Sequence, residues 1–408
     1  MADKSKKNKK KKWVRFRHKV TRHTLGIFFR AYSRIKYGAR IRPFKEERKR
    51  QYLVLFNHQT SFDQFFVALS FRQHLYFMAT EDIFSKGFLS SALRYLVAPV
   101  PIKKQTTDVR AILNCMKVSK EGGSIALAPE GNRTYSGKTE YMNPSIASLA
   151  RKLALPIALY HIKGGYGVQP RWSDNVRRGR MECYVSRVIE PEEYLALSDE
   201  ELYALIKDGL YINEANADHK YRSRKSAEHL ERVLYYCPHC GLSTFKTKGD
   251  IIECIKCNTK TRYLPTTELQ GVDSESRYRF VNDWYEAQND FINSTDTTAL
   301  TEEPVWIDEA SYYEVVPYKK KKTIAKSCRI ELYGDRITVS SDGYTDVFAF
   351  DECMAVTVLG KNKANIYHAD KIYQLKGGKS MNAIKFVHFF HRFKNISKGE
   401  QNGKFLGL

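Results

Sequence analysis

At 408 residues, 42% of them hydrophobic, the chain can hold two or three domains and bury a substantial core. Its formal charge of +23 is uneven: residues 1–50 carry 20 Lys plus Arg against 3 Asp plus Glu, which is +17 and leaves +6 for the remainder. Charged residues and turns break every apolar stretch before the roughly eighteen residues that span a bilayer, and the start lacks an apolar h-region and a cleavage site, which excludes a transmembrane helix and secretion from the expectation.

Residues 1–12, with Lys6, Lys7 and the run Lys9 to Lys12, are expected to form a disordered basic tail. From 13 to 50 the pattern is that of an amphipathic helical segment. Trp13, Phe16, Val20, Phe28, Tyr32 and Ile35 fall largely on one stripe, and Arg15, Arg17, Lys19, Arg22, Arg30, Arg34 and Lys36 surround it. Such a helix can lie in the headgroup plane of an anionic membrane, where each cation contributes about 1 kcal/mol. The alternative is the same helix packed on the domain, with its lysines merely solvated.

From 51 to 235 strand-like and helix-like stretches alternate. Strands are expected at Tyr52–Phe56, Tyr95–Ile102, Ser124–Ala128, Ile157–Ile162 and Met181–Val188. Helices are expected at Gln64–Arg72, Phe84–Arg94, Asp108–Val118, Ser145–Leu153 and from Ser198-x-x-Glu201, and a charged helix over Lys220–Leu234 leads out of the domain. This is the pattern of an α/β sheet domain.

Two turns in this domain carry chemistry. Asn57-His58-Gln59-Thr60-Ser61-Phe62-Asp63 links a buried strand to a helix, which sets His58 at a strand end, where clefts open in α/β sheets. Histidine titrates near neutral pH and can take a proton from a hydroxyl, and Asp63, one turn into the helix, can fold back to hold its tautomer. Thr60-x-x-Asp63 also fits a plain helix start. The second turn is Pro129-Glu130-Gly131-Asn132-Arg133-Thr134: Gly131 permits tight backbone, Arg133 offers a planar donor fork for phosphate, and Glu130 can accept from a substrate hydroxyl.

In this order the two turns resemble the motifs of the glycerolipid acyltransferases, specifically the 1-acylglycerol-3-phosphate O-acyltransferase (lysophosphatidate acyltransferase) family. Asn57, His58 and Asp63 match its Asn-His-x4-Asp motif; residues 129–134 match Pro-Glu-Gly-Thr-Arg-Ser, with Asn132 and Thr134 as departures. Pro101-Ile102-Lys103-Lys104 stands where the family has Phe-Ile-Asp-Arg, so Lys104 keeps the cation and loses the fork. Leu155-Pro156-Ile157-Ala158-Leu159 meets a looser apolar motif. The resemblance covers about residues 13–235.

It implies an α/β fold, a glycerolipid-acyltransferase-like mixed sheet with flanking helices, and acyl transfer from a thioester to the sn-2 hydroxyl of 1-acylglycerol-3-phosphate (lysophosphatidic acid), giving phosphatidic acid. His58 and Asp63 are then catalytic, while Lys104, Glu130, Gly131 and Arg133 bind substrate. Acyl-CoA or acyl carrier protein is the donor, and no catalytic cofactor is expected. Another lysophospholipid or glycerol-3-phosphate remains open as acceptor.

At 236–262 the composition changes. Cys237-Pro238-His239-Cys240 and Cys254-Ile255-Lys256-Cys257, thirteen residues apart, have zinc-ribbon spacing, and four thiolates close a tetrahedral site, so the expected zinc is structural. A redox dithiol is the weaker reading, and the other cysteines are scattered, so the pattern fits a reducing cytoplasm better than a disulfide framework. Residues 263–303 are read as a helix around Arg277–Phe291 plus a linker. Residues 304–408 are β-rich, with strands at Arg329–Leu332, Arg336–Ser340, Asp346–Phe350, Ala355–Leu359, Ala364–His368 and Lys371–Leu375 and a helix at Asn382–Phe393. That order resembles a small pleckstrin-homology or GRAM-like module.

The expected location is cytoplasmic and peripheral, on an anionic membrane surface, with no nucleic acid as partner. Two readings from other classes compete: a basic zinc-ribbon nucleic-acid-binding protein, and a membrane scaffold with the fold but no activity.

Overall fold

The computed structural model describes residues 12–47, 49–80, 83–84, 88–102, 108–215, 219–316 and 320–400. The expected basic tail up to residue 11, and Lys104 with its neighbours 103–107, lie outside the described residues. The first half runs α1 (Phe16–Tyr37), β1 (Ala39–Ile41), β2 (Leu53–Phe56), α2 (Asp63–Ser70), β3 (Leu75–Thr80), α3 (Phe88–Leu96), β4 (Val100–Ile102), α4 (Val109–Lys120), β5 (Ser124–Leu127), α5 (Ser145–Leu153), β6 (Ile157–Lys163), α6 (Gly165–Val168), β7 (Met181–Ile189), α7 (Pro191–Tyr194) and α8 (Asp199–Leu210).

These strands make one seven-stranded sheet in the order β1-β7-β6-β2-β5-β3-β4, parallel except for β6 against β7. β2 sits at its centre and is buried on both faces: Leu53 and Leu55 pack toward α4, α5 and α8, while Val54 and Phe56 pack toward α2 and Tyr37. A strand covered on both sides must be apolar throughout, which is why Tyr52–Phe56 shows no polar alternation. β5 pairs parallel to β2, Leu53 opposite Ile125 and Leu55 opposite Leu127, so the two strands end side by side. The turns carrying His58 and Glu130 therefore leave the same end of the sheet.

Several expectations need correction. Among its described residues the segment 13–50 is helical only as α1, and Ala39–Ile41 instead joins the sheet beside β7. Tyr95–Ile102 is strand only in its last three residues, because α3 runs to Leu96 and Pro99 and Pro101 confine pairing to a short edge. β3 is an additional strand, an apolar run too short for periodicity to separate from a helix.

The helix expected over Lys220–Leu234 is absent apart from a 3-10 turn at Leu230–Arg232. Its backbone groups bond to other segments: Tyr221 N to Pro265 O at 2.7 Å, Arg222 N to Arg178 O at 2.8 Å and Ala227 N to Gly249 O at 2.9 Å. The Tyr221 ring fills a slot over Gly167 and Gly179, where an added Cβ would meet it at 2.2 Å. Tertiary packing thus overrides the charged, helix-prone composition.

The second half continues with β8 (Tyr236–Cys237), β9 (Gly241–Leu242), β10 (Phe245–Lys248), β11 (Ile251–Cys254), β12 (Lys260–Tyr263), β13 (Leu269–Gly271), α9 (Val281–Ser294), β14 (Trp306–Glu314), β15 (Lys322–Leu332), β16 (Arg336–Ser341), β17 (Tyr344–Ala349), β18 (Cys353–Val358), β19 (Lys363–His368), β20 (Lys371–Gly377) and α10 (Ile384–Ser397). β10 to β13 form an antiparallel sheet beside the β8–β9 hairpin. β14 to β20 form a second antiparallel sheet, ordered β17-β16-β15-β14-β20-β19-β18. β14 was not among the expected strands, and β15 starts seven residues before the expected Arg329.

These parts are not separate beads. One continuous core joins Tyr135 and Trp172 of the first half to Cys237, Phe245, Trp284, Ile330, Val356 and Phe389 of the second. α10 is buried on most of its circumference, which a helix lying on a single sheet would not be.

Candidate active site

The geometry begins with Asp63, fully buried at the start of α2. Its Oδ2 accepts from His58 Nδ1 at 2.8 Å and Gln59 N at 2.6 Å; its Oδ1 accepts from Thr60 N at 2.9 Å and Thr60 Oγ1 at 2.6 Å. Because every neighbour offers a donor, the carboxylate acts as acceptor throughout and the His58 proton sits on Nδ1, leaving Nε2 as the acceptor. The helix-start reading and the orienting reading describe one set of contacts: the carboxylate that satisfies the turn's N–H groups also fixes the imidazole. The His58 side chain is 26% exposed, so the ring is neither walled in nor free to rotate.

Asn57 closes the end of β2 against β6. Its Nδ2 donates to Ile162 O at 3.0 Å and its Oδ1 accepts from Ile162 N at 2.8 Å, so a side-chain amide stands in for one more rung of the ladder. The looser motif at 155–159 supplies the start of β6, which pairs with β2 from Leu53 opposite Ile157.

The two turns are tied directly. His58 N donates to Glu130 Oε1 at 2.8 Å, and Thr134 N donates to His58 O at 3.2 Å. Gly131 takes a φ of 70°, the left-handed region that a side chain disfavours, while open space surrounds its missing Cβ; the constraint is on the backbone alone. Thr134 Oγ1 accepts from Gly137 N at 3.0 Å, so the departure at this position keeps a turn-bracing hydroxyl.

Arg133 lies beside this pair. Burial, then the nearby Arg171 charge, push its guanidinium down to about 10, while Asp63 acts in the opposite sense, so it stays cationic at neutral pH. Its Nη1 is shut off from solvent and has no hydrogen-bond partner among the described residues. A buried guanidinium N–H without a partner is costly unless an anion completes it. Arg171, which the sequence reading missed, donates from Nη1 to Arg133 O at 2.9 Å and lies 3.9 Å over the Tyr135 ring.

Away from these turns, the sulfurs of Cys237, Cys240, Cys254 and Cys257 lie within 4.8 Å of one another and could hold a metal ion. A tetrahedral centre with metal–sulfur bonds of about 2.3 Å sets sulfur separations of about 3.8 Å. Cys237 and Cys257 stand 3.7 Å apart, so the donor set fits. The hydroxyls of Ser243 and Thr259 approach Cys254 and Cys257 at 3.1 and 3.2 Å, as groups around a thiolate centre do.

Glu130 is a carboxyl whose surroundings favour its protonated form. Burial pushes its carboxyl up to about 8 from 4.5; the His58 N–H pulls it down, and the charges of Glu140 and Asp63 push it up. The folded protein therefore holds a proton that the unfolded chain releases, and Glu130 contributes stability that is full below about 4.5 and lost as pH rises through about 8. Relative to Glu130→Gln, wild-type protein should lose melting temperature as pH rises from about 5 to about 9. Parallel curves for the two proteins in thermal unfolding across that range would contradict the raised value.

Residues 39–162 match the sequence model of the Acyltransferase family. The 1-acyl-sn-glycerol-3-phosphate acyltransferase BAT2, chloroplastic, of Brassica napus is 25% identical over 147 residues, which is 35% of this chain and 42% of that protein's length. The chain thus spans less than half of this relative. The crystal structure of the 1-acyl-sn-glycerophosphate (LPA) acyltransferase PlsC from Thermotoga maritima aligns with a TM-score of 0.42 and 21% identity, covering 48% of this chain and 80% of that one. The stretch that matches the family model carries His58, Asp63, Glu130, Gly131 and Arg133.

Proposed function

We propose that the protein transfers a fatty acyl group from a thioester, on coenzyme A or acyl carrier protein, to the sn-2 hydroxyl of 1-acylglycerol-3-phosphate. The observation that carries this reading is the partly exposed imidazole whose Nδ1 is held by Asp63 while the Glu130–Thr134 turn is bonded to the His58 backbone. His58 Nε2 takes the hydroxyl proton as the oxygen attacks the thioester carbonyl carbon. The tetrahedral intermediate then expels the thiolate, which receives that proton from the imidazolium, and an ester and a free thiol result. No covalent enzyme intermediate is needed.

Arg133 holds the phosphate and so fixes where the hydroxyl lies relative to His58. Glu130, protonated at neutral pH, can donate to a glycerol oxygen as well as accept from the His58 N–H. Lys104 is kept as a second cation on sequence grounds alone.

α1 supports a position on an anionic membrane surface, at its cytoplasmic face. Phe16, Ile27 and Ile35 are 80 to 86% exposed, while Thr21, Ser33 and Tyr37 face the domain, so these apolar side chains of α1 point away from the protein. No described helix is long and apolar enough to cross a membrane. The antiparallel order of β14 to β20 with α10 after it supports a pleckstrin-homology-like module.

His58→Ala should lower kcat by about 10²- to 10⁴-fold in a purified acyl-transfer assay with lysophosphatidate as acceptor; a wild-type rate would remove the role given to His58. We also assign zinc to the four-cysteine centre. Metal analysis should give about one zinc per chain, and chelation should lower the melting temperature by about 5 °C or more, because Cys237 and Cys254 sit in the shared core. Zinc-free protein of unchanged melting temperature would refute that assignment.

A further inference from the structure

The turn between β18 and β19, Gly360-Lys361-Asn362, reaches back to the acyltransferase domain. Arg171 Nε donates to Gly360 O at 3.3 Å, and the same guanidinium donates to Arg133 O. Lys361 Nζ donates to Ser173 O at 2.6 Å and to Asp174 Oδ1 at 2.7 Å. Asp174 is also gripped by both terminal nitrogens of Arg232, at 2.8 and 3.0 Å, and approached by His229 at 3.1 Å. The turn is itself braced, since Asn362 Nδ2 donates to Gly377 O at 2.8 Å and Gly378 O at 2.9 Å.

Arg133 thus has its carbonyl fixed by a buried arginine whose own position is shared with the C-terminal domain. We propose that the C-terminal domain is a working part of the acceptor site: its Gly360–Lys361 turn, acting through Arg171 and the 173–174 turn, holds Arg133 where the phosphate of the acceptor binds. Arg171 and Lys361 are positioning residues in this scheme, and neither is required to touch the reacting atoms. The charges are near enough to act on one another: burial first, and then the Arg133 and Arg232 charges, lower the Lys361 ammonium, against Asp174. A rigid link suits the task, because a small misplacement of a binding group costs rate out of proportion to the lost contact.

The proposal rests on the reading of Arg133 as the phosphate-binding cation, so the experiment includes that residue. Truncating the C-terminal domain would strip a shared core and report on folding alone. Point variants of the full chain serve instead: Lys361→Met, Lys361→Arg, Arg171→Lys and Arg133→Ala, each with its melting temperature measured. The readouts are the KM for lysophosphatidate, the KM for the acyl thioester, and binding of a soluble short-chain lysophosphatidate by titration calorimetry.

Lys361→Met and Arg171→Lys should each raise the acceptor KM and dissociation constant about tenfold with the donor KM unchanged, and Lys361→Arg should restore wild-type values. Two independent variants guard against one failing to fold. If Arg133→Ala weakens the acceptor while neither Lys361→Met nor Arg171→Lys does, the proposal falls and the phosphate role of Arg133 stands. If Arg133→Ala also leaves acceptor binding unchanged, both fall together.

Discussion

One buried carboxylate organises the candidate site of this molecule. Asp63 has no exposure to water, and its two oxygens are satisfied by the backbone of the turn before it, the Thr60 hydroxyl and the imidazole of His58. Hydrogen bonds to an ionised acceptor in a dry setting are strong, and an unmet one is correspondingly costly. The same contacts therefore stabilise the start of α2 and aim the ring. From there the second turn is built onto the first through the His58 amide, which donates to Glu130, and the His58 carbonyl, which accepts from Thr134.

The second constraint is packing. A chain that reads as acyltransferase domain, cysteine knuckles, linker and β-rich module is joined by a core running from Tyr135, two residues beyond Arg133, to α10. Tyr235 Oη and His388 Nδ1 meet at 2.6 Å inside it, and burial holds the His388 imidazole at about 3, so it stays neutral and acts as a structural polar group. Through such contacts the turn that carries Arg133 is packed against parts of the chain more than two hundred residues away.

How much of this was readable in advance follows from the range of each interaction. The His58–Asp63 pair, the β2 and β5 turns and the Ser198–Glu201 capping box are local, and residue spacing, with the motif resemblance for the first two, located them. The cysteine cluster needed only knuckle spacing, since a tetrahedral site leaves few arrangements for two such pairs. Lys220–Leu234 was misread because its composition suits a helix while Pro265, Arg178 and Gly249 take its backbone bonds. Nothing in Pro170-Arg171-Trp172 signals a partner at Gly360, and Arg171 could not have been found without the fold. Asn57 was legible as part of a motif, but its pairing with Ile162 was not.

The account stands on Asp63 setting the tautomer of His58, and replacing that carboxylate by an amide of nearly the same shape isolates the effect. In acyl transfer to lysophosphatidate by purified protein, Asp63→Asn should lower kcat on the order of a hundredfold or more while the KM of each substrate stays within about threefold, because the amide offers the ring a donor where a carboxylate accepted. Transfer by Asp63→Asn at the wild-type rate would contradict the account at its root.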